Sequence, residues 1–142
     1  MARDYQTLRQ EFDNSPYAAY LGMRLLELSY GYAKVTMEVG PQHHNWGKMP
    51  HGGLIVSLAD QAFGCAVNSM EGHYVAVQLS INFLGVPKKD VDTLVSEAKV
   101  VHPGKSLSVA EMTVQDSSGR IIARAVGTAL AKKGYYKRGE TT

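Results

Sequence analysis

Residues 51–70 read HGGLIVSLADQAFGCAVNSM: a histidine and two glycines, then an apolar run that only Asp60 and Gln61 interrupt before its last turns. A run of this length is too long for an ordinary strand, and its apolar residues do not alternate, so it is read as one helix over residues 54–70. Because Leu54, Ile55, Val56, Leu58, Ala59, Ala62 and Phe63 surround the whole helix axis, the helix is expected to be buried on every side. A helix of that kind needs other elements wrapped around it.

Downstream the period changes to two. After Gly72, Val75, Val77, Leu79, Ile81 and Phe83 fall on one face and Ala76, Gln78, Ser80 and Asn82 on the other. Three more strand-like runs, 93–102, 106–116 and 120–132, are separated by Pro103-Gly104 and by Ser117-Ser118-Gly119, which predicts hairpin connections and antiparallel pairing. Upstream, residues 24–30 and 33–39 flank Gly31, with Ala33, Val35, Met37 and Val39 alternating against Lys34, Thr36 and Glu38. A polar, glycine-containing loop over residues 40–50 leads from this hairpin to the helix. Before it, Tyr5, Leu8 and Phe12 mark a short amphipathic helix over residues 4–14 that stops before Pro16, within an N-terminal helical segment spanning 1–20. The simplest packing is an α+β fold in which an antiparallel sheet wraps around one long central helix, although periodicity alone also permits another α+β arrangement.

A chain of 142 residues that is 44% hydrophobic suits a single domain over residues 1–142. Its formal charge of +2 is spread too evenly for a nucleic-acid-binding stripe, and the densest cationic run, Lys132, Lys133, Lys137 and Arg138, runs into a solvated, flexible tail expected over 133–142. Cys65 is the only cysteine and lies in the apolar run, so a structural thiol in a reducing compartment is expected. The start of the chain lacks an apolar signal core and residues 54–67 are too short and too polar to cross a bilayer, which predicts a cytoplasmic protein without membrane partners.

Chemistry concentrates at two points of the long helix. At its start, Gly52-Gly53 allows close backbone approach, and unpaired helix N-terminal amides suit a developing oxyanion; equally, the glycines serve a tight turn into the helix. Farther along, Asp60 stands among apolar neighbours, where a carboxylate is costly unless compensated, so it is either a hydrogen-bonded structural residue or a functional one. Eight positions of α-helix separate Gly52 from Asp60, about 12 Å, so the two cannot serve one carbonyl from one chain. Two antiparallel helices related by a two-fold axis would bring them together, which implies at least a dimer.

Asn45, then His51-Gly52-Gly53, then Leu58-Ala59-Asp60 together resemble the signature of the PaaI-like branch of the hotdog-fold acyl-CoA thioesterases. The similarity extends to residues 78–84, QLSINFL, and 101–106, VHPGKS, and spans roughly residues 22–132. It implies a hotdog fold, hydrolysis of an aryl- or fatty-acyl-CoA without a cofactor, and a homodimer with active sites at the subunit interface, assembled as a homotetramer. It also implies that Asp60 is the catalytic carboxylate, as general base or as nucleophile forming an anhydride. The Gly52 amide would polarise the carbonyl, Asn45 would orient water or the carbonyl, and His51 would support the loop and position substrate. Ala76 occupies a place where some relatives carry a water-holding hydroxyl, leaving that task to Asn45 or Gln78. Gly53, Gln78, Lys105 and Ser106 are the expected substrate contacts, with Lys105 ranked before Lys88 and Lys89 for the phosphates of coenzyme A. His43, His44 and His51 lack acidic or cysteine partners at metal spacing, so no metal site is expected, and Trp46 is read as structural cover for the core. Two other classes stay open: a non-catalytic acyl-CoA-binding hotdog domain, which would not need Asp60, and a hotdog hydratase or dehydratase, which would need a histidine paired with an acid.

Overall fold

The computed structural model describes residues 4–132, so the tail expected over 133–142 lies outside the described residues. Two short helices, α1 (Tyr5–Asp13) and α2 (Pro16–Leu21), precede strands β1 (Arg24–Ser29) and β2 (Tyr32–Glu38). The long helix α3 (Gly52–Asn68) follows, and then β3 (Tyr74–Phe83), β4 (Thr93–Pro103), β5 (Leu107–Asp116) and β6 (Ile121–Ala131). All strands join one antiparallel sheet in the order β1-β2-β4-β5-β6-β3, curled around α3 in the hotdog arrangement. The β4–β5 and β5–β6 connections are the predicted hairpins, whereas β3 crosses to the far edge and pairs only with β6. α1 ends before Pro16 as expected, and a second short helix begins there: Pro16 occupies the first position of α2, where its missing N–H costs nothing.

Leu58, Ala59, Ala62, Phe63 and Ala66 on α3 are completely buried against Val35, Met37, Ala98, Ala110 and Ile122 of the sheet. Each fully buried large apolar side chain contributes about 1.5–3 kcal/mol. The close approach has a specific requirement at Gly127, where a Cβ would come within 2.8 Å of the Phe63 ring. At the other end of the helix, Ser69 Oγ accepts the Gly31 amide at 2.8 Å, and the Asn68 side chain exchanges hydrogen bonds with the Tyr74 backbone. These bonds pin the helix C-terminus to the β1–β2 turn and to the start of β3.

Two sequence-based expectations change. The helix is not buried all round: Gly53, Ser57, Asp60, Gln61, Gly64 and Asn68 form a partly or fully open stripe, which α1 covers in part. Small and polar residues at i, i+4 and i+8 produce that stripe, and the apolar residues between them mask it in a reading by composition. The two faces of β3 are also rearranged, because Val77 is the extra residue of a β-bulge between Ala76 and Gln78. Ala76 turns inward with Leu79, Ile81 and Phe83, opposite Ala129, Gly127, Ala125 and Ala123, while Val75 turns outward with Gln78, Ser80 and Asn82.

Candidate active site

The N-terminus of α3 is built by His51. Its backbone is extended (φ −62°, ψ 138°), and its Nδ1 accepts the Gly53 amide hydrogen at 2.8 Å, so the neutral imidazole carries its proton on Nε2. The His51 carbonyl accepts from the amides of Leu54 (3.0 Å) and Ile55 (3.3 Å). Three of the first four amides of the helix are thereby occupied. The fourth, at Gly52, donates to no described residue.

The two glycines therefore have different reasons to be glycine. A Cβ on Gly53 would sit 3.0 Å from His51 Nδ1 and disturb the cap. A Cβ on Gly52 would meet only the Phe83 ring, at an ordinary 3.5 Å, and Gly52 has no positive φ, so neither packing nor backbone conformation demands glycine there. Gly53, expected as a substrate contact, spends its own amide on His51.

A hydrogen-bonded chain leads from this turn to α2. Ser57 Oγ donates to the Gly53 carbonyl at 2.8 Å; with its proton thus used, it accepts the Tyr17 hydroxyl at 2.6 Å. Tyr17, Leu21, His51 and Leu54 contribute to a small cleft of about 200 Å³ between α2 and the start of α3. Neither Tyr17 nor Ser57 was singled out in the sequence, although Ser15-Pro16 is the helix-start signal that places Tyr17 in α2.

Asp60 lies two turns farther along, on the open stripe, rather than buried as its neighbours in sequence suggested. Its side chain has no hydrogen bond or ion pair with any described residue. The apolar helix surface around its base excludes enough water to raise its carboxyl above the ordinary carboxylate range. Cys65, in contrast, is buried, and burial pushes its thiol up to about 12, which keeps it protonated and inert.

The loop before α3 is folded on Asn45. Its Oδ1 accepts from the amides of Gly47 (2.8 Å) and Met49 (3.3 Å), leaving the side-chain NH₂ as its free end. His43 Nδ1 accepts the Gly40 amide at 2.9 Å, and His51 N donates to the His43 carbonyl, so these histidines fasten the loop. His43, His44, Leu21 and His51 all border the small cleft. Trp46, expected as cover for the core, is instead completely exposed, because the turn that Asn45 closes points it outward.

Within one chain the remaining expected contacts do not gather here. Gln78 lies on the outer face of the sheet with Ser80 and Asn82, as alternation from the inward Leu79 requires. Lys105 and Ser106 belong to the β4–β5 turn, whose Gly104 carbonyl accepts the Tyr74 hydroxyl at 3.0 Å; that is the C-terminal end of α3, about 25 Å of helix away from Gly52. Lys88 and Lys89, in contrast, follow β3, whose last residue, Phe83, places its ring 3.5 Å from where a Cβ on Gly52 would stand.

Comparison with known proteins shows the family. The profile of the thioesterase superfamily matches residues 48–123. A candidate esterase of Archaeoglobus fulgidus is 38% identical over 117 residues, covering 82% of this chain and 75% of that protein. The acyl-coenzyme A thioesterase PaaI of Escherichia coli is 34% identical over 119 residues, 84% of each. The solved structure of the E. coli PaaI protein, from the phenylacetic acid degradation operon, superimposes with a TM-score of 0.86 over 92% of this chain and 94% of the other at 32% identity. A Streptococcus pneumoniae thioesterase solved with coenzyme A superimposes with a TM-score of 0.78 at 27% identity, covering 87% of this chain and 95% of that one.

Proposed function

Since this chain belongs to the thioesterase superfamily, in its PaaI-like hotdog branch, and is thus a thioester hydrolase, we propose that it hydrolyses acyl-coenzyme A at a site shared by two subunits. The observation that carries this reading is the unclaimed amide of Gly52. It is a fixed donor at the positive end of a 17-residue helix, beside a position kept free of side chain. A thioester oxygen placed there gains a hydrogen bond that strengthens as the carbonyl becomes tetrahedral and anionic.

The carboxylate comes from a second subunit, because Asp60 of the same chain stands about 12 Å along the helix. Asp60, more basic than an ordinary carboxylate through loss of water, takes a proton from water as the water oxygen bonds to the acyl carbon. The tetrahedral intermediate collapses by breaking the carbon–sulfur bond, Asp60 gives its proton to the departing sulfur, and coenzyme A leaves as thiol and the acyl group as carboxylic acid, with Asp60 again a carboxylate. The free NH₂ of Asn45, whose orientation is set by the two amides on its Oδ1, points the water or the carbonyl, and His51 Nε2–H is a second donor, on the turn that carries Gly52. His51 does not resemble the histidine–acid pair of a hydratase, since its Nδ1 is spent on the helix cap. The acyl group is an aryl or fatty acyl chain.

A thiol-release assay over acetyl-, octanoyl-, palmitoyl-, phenylacetyl- and benzoyl-CoA tests the reading, run beside the Asp60→Asn variant. At least one substrate should turn over with wild-type protein and collapse with the variant. Equal rates for the two proteins on every thioester would remove Asp60 from the mechanism.

A further inference from the structure

The small cleft between α2 and the start of α3 adjoins the proposed reacting centre, because His51, one of its walls, is bonded directly to Gly52. It therefore belongs to the chain whose amide holds the thioester oxygen, whichever subunit supplies the carboxylate. Leu21 and Leu54 give it aliphatic surface, and no lysine, arginine, aspartate or glutamate lines it. His43 and His51 accept backbone amide hydrogens on Nδ1, as neutral rings do, and so add no charge. A cleft of about 660 Å³ beyond Gln42 and His43 differs in kind, with Arg24, Glu38 and Asp92 among its walls. An apolar chain that outgrew the first cleft would enter the second, where its burial would strip water from charges.

Tyr17 is the wall that is fixed from outside the cleft. More than half of its surface is exposed, yet its hydroxyl is tied at 2.6 Å to Ser57 Oγ, forty residues away in the chain. Ser57 in turn donates to the Gly53 carbonyl at 2.8 Å, so the tie ends on the first turn of α3. The helix that carries Tyr17 is seated as well: Ala18 is buried, and its carbonyl accepts the Met23 amide at 2.9 Å as the chain turns into β1. A phenol held at its backbone and at its hydroxyl is a fixed wall, whereas a free surface side chain changes rotamer within nanoseconds. Volume then decides what fits. At the packing density of a protein interior, about 0.75, a cleft of about 200 Å³ holds roughly 150 Å³ of ligand, a group of about eight to ten heavy atoms. Phenylacetyl and octanoyl groups are of that size, and a palmitoyl group is too long.

We propose that Tyr17 is a specificity-determining residue: pinned by Ser57, it closes an acyl subsite between α2 and α3 and confines the substrate to compact aryl or medium-chain acyl groups. The inference rests on the acyl-coenzyme A reading above and narrows its acyl class. Removing the phenol extends the cleft toward Ser57, so longer chains gain contact and compact ones lose it. Each methylene that becomes buried contributes about fourfold in kcat/KM.

The test is a series of butanoyl-, octanoyl-, dodecanoyl-, palmitoyl- and phenylacetyl-CoA on the full chain, with kcat/KM for each and calorimetric titration of the matching S-alkyl thioethers of coenzyme A. The parent should peak at octanoyl and phenylacetyl and fall about tenfold or more by palmitoyl. In Tyr17→Ala the dodecanoyl-to-phenylacetyl ratio should rise more than about tenfold, in rates and in affinities alike. Tyr17→Phe and Ser57→Ala, which keep the wall and lose the tie, should each raise it by about two- to fivefold. Tyr20→Ala removes an exposed tyrosine of the same helix that does not line the cleft, and should keep the parent profile. Because each ratio compares two substrates on one protein, lost stability or active fraction does not imitate the shift. Equal profiles for Tyr17→Ala and the parent, a flat parent profile, or an equal shift in Tyr20→Ala would overturn the assignment. Thioether binding governed by Tyr17 in a protein that cleaves no thioester would support the acyl subsite and sink the hydrolytic reading instead.

Discussion

His51 Nδ1 takes the amide hydrogen of Gly53 at 2.8 Å, and this one bond separates the roles of two adjacent glycines by leaving the Gly52 amide as the free donor of the turn. Gly52 holds the first helical position and follows an extended residue, a combination that accepts proline. Gly52→Pro should therefore fold with a near-normal melting temperature and lose about 10²–10³ in kcat, the usual worth of one oxyanion donor. Gly53→Ala should do the reverse, losing about 1 kcal/mol of stability with the cap and less of its activity. Thermal melts and steady-state rates on both variants check the pair, and wild-type turnover in a folded Gly52→Pro protein would rule out the amide.

In the proposed mechanism the Asp60 carboxylate trades stability for function. Its proton is held more tightly in the folded chain than in the unfolded one, so its charge destabilises the fold above the ordinary carboxylate range and costs nothing well below it. Asp60→Asn should lower kcat by about 10²–10⁴ while raising the melting temperature at pH 7, with the gain vanishing below about pH 4. The acid limb of the wild-type kcat/KM profile should lie above the pH of an ordinary aspartate. A variant that melts lower at pH 7 would show that Asp60 is a structural residue.

Intersubunit sharing is testable by mixing. Asp60→Ala and Gly52→Pro chains, each nearly inactive, should complement on subunit exchange, because a mixed dimer holds one site with both lesions and one with neither. Random pairing makes about half of the dimers mixed, so about a quarter of wild-type activity should return. Verified mixed dimers that stay inactive would place both groups of a site on one chain.

Asp116 sits at the end of β5, covered by its own turn and by the loop after β3. Burial alone would raise its carboxyl, but hydrogen bonds from the Ser118 hydroxyl and from the amides of Lys88, Arg120 and Ser118 outweigh that effect and hold it down to about 2. A depressed carboxyl contributes stability above its unfolded value near 4 that is lost as the pH falls toward about 2. Acid melts should show that limb, and Asp116→Asn should flatten it while costing about 1–3 kcal/mol at pH 7, since an NH₂ would face the Lys88 amide. An unchanged acid limb in the variant would assign the acid sensitivity to other carboxylates.

Much of this protein was legible in its sequence. The apolar run from Leu54 to Val67 forces a helix into a core and the period-two runs force strands around it, through local spacing and composition, and the glycine pair and Asp60 mark the place of the proposed chemistry. What lay beyond the sequence depended on geometry between distant elements. The Val77 bulge reverses Ala76 and Val75 between the faces of β3, a one-residue slip that alternation cannot reveal. The curl of the sheet sends Lys105 to the end of α3 opposite Gly52 of its own chain, and the packing of α2 against α3 joins Tyr17 to Ser57, forty residues apart in sequence. The division between the two glycines came from a single side-chain nitrogen, because only the folded turn shows which amide His51 satisfies and which it leaves free.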